Sequence, residues 1–293
     1  MNKFLLLKIR FKPSCFRQQG LTLIELMVAL VISLIILAGL YTVYSSNKMA
    51  YQRSSGMAQV QENGRFTLDF LTRSIRLAGF PSDNPDVQKI LFGDATEAAN
   101  LNSSNNANVA GHPNNTIANG LGDDRLVIHF GDSTATLPDC LGAVPAPPDT
   151  TRNIFEVRNS GRTNTAGNAI YSLFCNNQEL VEGIENLQVL YGLDTDYDTN
   201  PDGIANQYVT LDDIPPHPQI AGQLYWDQVV SVKLAVLATS VDELSIAPSN
   251  RSFPMLDIVI PAYDGGAGNN PADRIIRRVY TTTVLLRNHK PRM

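Results

Sequence analysis

The sequence predicts an α+β protein in which one long N-terminal helix lays its second half on an antiparallel β-sheet. Three observations predict it. Leu26 to Tyr44 is a nineteen-residue run without a charge. Beyond Met57, apolar residues recur at steps of three and four. The rest of the chain holds short segments rich in Val, Ile, Tyr and Thr, separated by loops rich in Pro and Gly.

The apolar run follows a basic start. Residues 1–20 hold Lys3, Lys8, Arg10, Lys12 and Arg17 and no acid, so the remaining 18 basic and 28 acidic residues leave a body of net charge −10. A body that acidic lacks the basic footprint that nucleic-acid binding requires. At 293 residues with 43% hydrophobic content, the chain is long and apolar enough to fold. Counted from Leu21, the run spans about 36 Å as a helix, enough to cross a bilayer core of about 30 Å. The five cations place the N-terminus in the cytoplasm by the positive-inside rule. A cleaved secretory signal fits less well, because its apolar core is about 7–15 residues and ends in small residues. Here bulky Tyr41, Val43 and Tyr44 follow instead.

Past the run, Met57, Val60, Gly64, Leu68, Leu71, Ile75 and Ala78 fall on one helical face. Gln59, Glu62, Arg65, Asp69 and Arg73 lie between them as water-facing types. Gly79 followed by Phe80-Pro81 reads as a stop, so one helix is predicted from about Leu21 to Ala78.

Residues 94–124, rich in Asn, Ser, Ala and Gly, read as a long polar loop. Strands are predicted at 125–130, 153–158, 169–175, 184–193, 227–240 and 277–288. In the fifth, Val230, Val232, Leu234 and Val236 alternate with Ser231, Lys233 and Ala235, as expected of a sheet with one buried face.

Gly20, then LTLIELMVALVISLIILAGL behind a basic leader, resembles the cleavage and assembly signature of type IV prepilins and type II secretion pseudopilins. The resemblance implies a type IV pilin-like fold. It also implies cutting between Gly20 and Leu21 by a prepilin peptidase, and N-methylation of Leu21. Leu21 stands where phenylalanine is commoner, and the mid-helix proline of many major pilins is missing. The resemblance also accounts for Glu25, a carboxylate that would be costly to leave unpaired in lipid. In a filament of packed helices it would pair with the terminal amine of a neighbouring subunit. Further on, IRLAGF, IENLQVLYGLDTDYD, the VVSVKLAVL strand after Trp226 and the closing RRVYTTTVLLRN resemble the PilW group of minor pilins.

The expected organisation follows. Residues 1–20 are a leader, 21–44 a transmembrane and assembly segment, 45–80 the amphipathic half of the helix, and 81–293 a periplasmic β-rich head. The implied role is priming of a type IV pilus at or near its tip, bearing on adhesion and twitching motility. The implied partners are other minor pilins, the major pilin, the prepilin peptidase, the inner-membrane assembly platform and a tip adhesin. A tip-forming pseudopilin of type II secretion is the runner-up; a calcium-responsive adhesin is a further alternative.

Cys15 lies in the leader, leaving Cys140 and Cys175 in the exported part. An even count in an oxidising compartment favours a Cys140–Cys175 disulfide over two buried thiols. Residues 194–206, DTDYDTNPDGIAN, place oxygen ligands at alternate positions. Asp198, Asn200, Asp202 and Gly203, with Asn206 beyond, match the first half of an EF-hand loop, but Val209 stands where the bidentate acid belongs. Starting at Asp194 gives Asp194, Asp196 and Asp198, with Thr199 at the glycine position. The run reads either as a Ca2+ site or as a solvated turn. No cofactor is required by this reading. No His or Cys spacing suits zinc, and neither a phosphate-binding glycine loop nor a G-x-S-x-G elbow occurs, so a membrane-anchored enzyme is disfavoured.

Overall fold

The computed structural model describes residues 20, 22–80, 123–131, 137–144, 151–199, 202–216, 218, 224–244, 246–268 and 270–288. The 94–122 part of the polar loop lies outside them. The chain forms two units, Met1–Lys48 and Met49–Met293. The expected α+β class holds: helix α1 (Leu23–Leu77) is followed by antiparallel strands.

Within the second unit, α1 buries Gly56, Val60, Gly64, Thr67, Leu71, Ser74 and Ile75. Steps of four and three join them, as one helical face requires. Two expected members differ. Met57 is 37% exposed at the margin, where Gly56 takes the buried position, and Leu68 is only partly buried. The helix ends as the Gly79-Phe80 signal suggests. Gly79 has φ +72°, and its N–H donates to the His129 carbonyl at 3.0 Å. The Asn288 side-chain amide donates to the carbonyls of Arg76 (3.1 Å) and Ala78 (2.9 Å), satisfying two of the last acceptors of the helix.

Two four-stranded sheets share the remaining work. β1 (Leu126–Phe130), β2 (Thr151–Thr163), β3 (Ala169–Cys175) and β4 (Gln178–Glu182) form one, in chain order. β5 (Ile184–Leu193), β6 (Gln207–Val209), β7 (Val229–Thr239) and β10 (Arg277–Leu285) form the other, in the order β10-β7-β5-β6. β8 (Phe253–Met255) and β9 (Ile258–Ile260) make a separate hairpin. All six predicted strands are present; β4, β6, β8 and β9 are additional. β4 pairs with β3 across the two-residue loop Asn176-Asn177, both at positive φ, the turn geometry that suits strand twist. One core joins Val60, Leu71 and Ile75 of α1 to Phe155, Leu173, Leu187, Val189, Leu234 and Val236. Phe70 adds an edge-on contact to Phe155 at 5.9 Å.

The one-faced alternation expected of β7 is corrected twice. Gly192 pairs with Ser231 but Leu193 with Val229, so Val230 is an extra residue and the inward parity changes there. Val229, Val232, Leu234, Val236 and Ala238 therefore share the main core, while Val230, though buried, does not. The other face is not solvated either: Ala235 and Leu237 pack with Met255, Ile260 and Tyr263, under the β8–β9 hairpin. A similar bulge at Glu185 lets Ile184 and Leu187 both point into the main core.

Gly64 marks a close approach of helix to sheet. A Cβ there would lie 2.4 Å from both Cδ2 and Cε2 of Tyr280. Gly64→Ala gains about 1 kcal/mol of helix propensity, but overpacking against a flat ring costs typically 1–3 kcal/mol. The expected outcome is a lowered urea midpoint, a loss that disappears when Gly64→Ala is measured in a Tyr280→Ala background; a raised midpoint in the single variant would contradict this packing.

Candidate assembly helix and acidic turn

The start of α1 is built by Thr22. Its hydroxyl oxygen accepts the Glu25 backbone N–H at 3.3 Å, and its carbonyl accepts the Leu26 N–H at 3.2 Å. Thr22 is therefore the N-cap and Glu25 the third helical residue, the T-x-x-E pattern of a capping box. That pattern stood in the sequence and was not read there. Glu25 thus has a local use, beside the positive end of the helix dipole, in addition to any partner from another chain. Gly20 is exposed, and Leu21 lies outside the described residues.

Behind Glu25 the large apolar side chains from Leu23 to Tyr44 are all exposed, Leu23 at 79% and Ile35 at 67%. The Ser33 and Thr42 hydroxyls in the run are tied to the helix itself: Ser33 donates to the Leu30 carbonyl and Thr42 to the Gly39 carbonyl, each at 2.8 Å. Neither of these two hydroxyl protons is then left unpaired in an apolar medium. By length and composition the helix can cross a membrane.

In the second unit Cys140 and Cys175 form a disulfide, with Cα atoms 6.5 Å apart. It ties the 137–144 segment to the end of β3, and Asn153 of β2 accepts the Cys140 N–H at 2.9 Å. Asn176, next to the bridge, donates to Asp139 and accepts the Ile154 N–H.

The acidic run closes the β5–β6 hairpin. The structure brings Asp194, Asp196 and Asp202 together, with one carboxylate oxygen of each within 4.8 Å of the others. Asp194 is fully buried, fixed by its N–H to the Gln228 carbonyl at 2.8 Å. Its Oδ2 accepts the Gly203 N–H at 3.1 Å, whereas its Oδ1 has no hydrogen-bond partner. Burial pushes its pKa up, the Gly203 N–H pulls it down, and the neighbouring Asp196 and Asp202 push it up again. Asp198 is placed differently: its Oδ1 accepts the Tyr225 hydroxyl at 2.5 Å. Burial and that carboxylate raise the Tyr225 pKa, so it stays a donor. Asn206 donates its amide N–H to Asp196 Oδ1 at 3.0 Å, and Asn200 lies outside the described residues.

A second charged cluster was not legible in the sequence. Arg277 opens β10 with its side chain 2% exposed and forms two-pronged hydrogen bonds to Glu185 and Asp273. Its guanidinium lies 3.3 Å above the Tyr263 ring, and the Tyr263 hydroxyl donates to Glu185 at 2.9 Å. A cavity of about 340 Å³ borders this cluster. Nothing local in the sequence marks Glu185 as the partner, because a bulge and a sequence separation of 92 keep the two ends apart.

Comparison with known families completes the picture. Residues 158–288, from within β2 through β10, match the family described as type IV pilus-assembly protein W. Residues 15–41, which include Gly20, Leu21 and Glu25, match the prokaryotic N-terminal methylation motif. No curated protein and no solved structure matches the chain.

Proposed function

We infer that this chain is a type IV pilus minor pilin of the pilus-assembly protein W family, with an apolar N-terminal helix for the membrane. It helps prime pilus assembly and takes its place at or near the tip, beside other minor pilins and the major pilin. Before assembly it sits in the inner membrane with its N-terminus in the cytoplasm and its β-rich head in the periplasm. The prepilin peptidase removes residues 1–20 and Leu21 is methylated. The assembly platform then draws the helix into the filament. With a tip adhesin it supports attachment and twitching. The observation that carries this reading is the coincidence of a methylation motif, a helix with uncovered apolar side chains and a carboxylate at its third position. Exposed apolar surface on that scale calls for lipid or neighbouring helices. The family match over 158–288 favours the pilus over type II secretion.

In the filament Glu25 meets the terminal amine of an adjoining subunit, and removing one partner of such a buried pair costs about 3–5 kcal/mol. Two substitutions separate this from helix capping. Glu25→Gln keeps a side chain suited to the capping box but has no charge; Glu25→Ala loses both. Both variants insert and are processed, and both fall about tenfold or more in the sheared pilus fraction by immunoblot. Wild-type incorporation of Glu25→Gln would overturn charge pairing and leave capping as the role of Glu25.

A further inference from the structure

We propose that the β5–β6 turn binds a calcium ion through the carboxylates of Asp194, Asp196 and Asp202.

The strongest reason is the unmatched oxygen of Asp194. A fully buried carboxylate with one oxygen lacking a donor is costly, because neither water nor a hydrogen bond replaces its lost hydration. The turn can supply donors where it needs them. Tyr225 serves Asp198, Asn206 serves Asp196, and the Ile204 N–H serves Asp202 at 2.8 Å. At Asp194 Oδ1 it supplies none. The carboxylates of Asp196 and Asp202 converge on that of Asp194, one oxygen from each of the three lying within 4.8 Å of the others. Three carboxylates brought together at a buried, incompletely hydrogen-bonded Asp194 are suited to a divalent cation, which replaces mutual repulsion by coordination.

The ligand type selects the ion. Carboxylate oxygens without His or Cys suit a hard cation. Calcium accepts six to eight oxygens at irregular angles, so a hairpin turn with waters completing the shell serves it. Magnesium demands near-ideal octahedral geometry and gives up water reluctantly, which an irregular turn serves poorly. The assignment differs from a half EF-hand starting at Asp198, since that carboxylate is engaged by Tyr225. A bound ion would pin the β5–β6 hairpin to the Tyr225–Gln228 segment, because Asp194 is hydrogen-bonded to the Gln228 carbonyl.

The test uses the full chain purified in detergent, stripped with chelator and titrated with CaCl2. Calorimetry shows one ion per chain, and the melting temperature rises by about 5–10 °C once calcium stands near a hundred times its Kd. Asp194→Asn weakens binding about tenfold or more. Because Asp194 is buried, the exposed Asp202→Ala serves as the variant that keeps its fold, and it loses affinity comparably. Asp198→Asn, outside the ligand set, stays within about twofold of wild type. No heat and no thermal shift up to about 10 mM CaCl2 would overturn the site, as would unchanged affinity in Asp202→Ala. An equal shift with MgCl2 would overturn the choice of calcium. Binding is read on the isolated chain, so its failure leaves the pilin reading untouched, and the converse holds.

Discussion

Gly20→Ala leaves the chain uncut, with residues 1–20 still attached, while its stability is unchanged. The two halves of this expectation have separate grounds. A Cβ built on Gly20 meets no atom within 4 Å, and the residue is exposed. Nothing in the described fold therefore needs a glycine there. On the proposed processing the need comes from outside: a methyl group before the scissile bond would hinder the close approach of a peptidase to the backbone. The contrast with Gly64 is direct, since there the chain's own Tyr280 ring fills the space. Intact-mass measurement on the membrane fraction decides the matter. Wild type shows the mass of residues 21–293 with one added methyl, whereas the variant shows the full precursor. A processed mass for Gly20→Ala would remove the prepilin reading of this N-terminus. Equal melting temperatures for the wild-type and variant precursors, both made without the peptidase, would establish that folding is unaffected.

Arg277→Ala lowers the stability of the head by about 3–5 kcal/mol, because it strands two largely buried carboxylates without their cation. Glu185 and Asp273 have side chains only 9% and 13% exposed, and each is bridged by the guanidinium at 2.6 Å. Burial alone would lower the pKa of Arg277, but the Glu185 and Asp273 carboxylates outweigh it and the net shift is upward. Its charge is therefore permanent. The Tyr263 ring stacked at 3.3 Å adds a planar contact that lysine cannot reproduce. Arg277→Lys is thus expected to recover only part of the loss. Denaturant unfolding of the full chain measures both variants, and a decrease below about 1 kcal/mol for Arg277→Ala would place the cluster among weak surface pairs.

Local chemistry made the helix legible. Its apolar run, its buried stripe and its Gly79 stop are properties of nearby residues, and α1 spans Leu23–Leu77 against an expected Leu21–Ala78. Strands with strong β-branched content were equally clear, β3 and β5 to the residue. β6, β8 and β9 were missed because each is three residues, too short for a period to emerge, and five-residue β4 (QELVE) lacks the apolar run that marked β1. For β4 the Asn176-Asn177 turn was the available signal.

The sites divide the same way. Gly20, Leu21 and Glu25 are a contiguous motif, and Cys140 with Cys175 followed from counting. Which acids of the 194–206 run converge did not follow. Spacing offered two registers, and the structure follows neither: Asp194 and Asp196 join Asp202, while Asp198 accepts the Tyr225 hydroxyl.

The sequence by itself determined the membrane-length helix, its charged mouth, the sheet-forming segments and the likeness to a pilus subunit. Each depends on residues within a few turns of one another. Only the tertiary structure decided that β7 is covered on both faces, that Gly64 must stay small, that Arg277 reaches Glu185, and that Asp194 has a dry, unmatched oxygen. The reason is physical: such facts depend on which distant atoms share a space from which water is excluded, and strand bulges that reverse the facing of side chains are written in pairing rather than in composition.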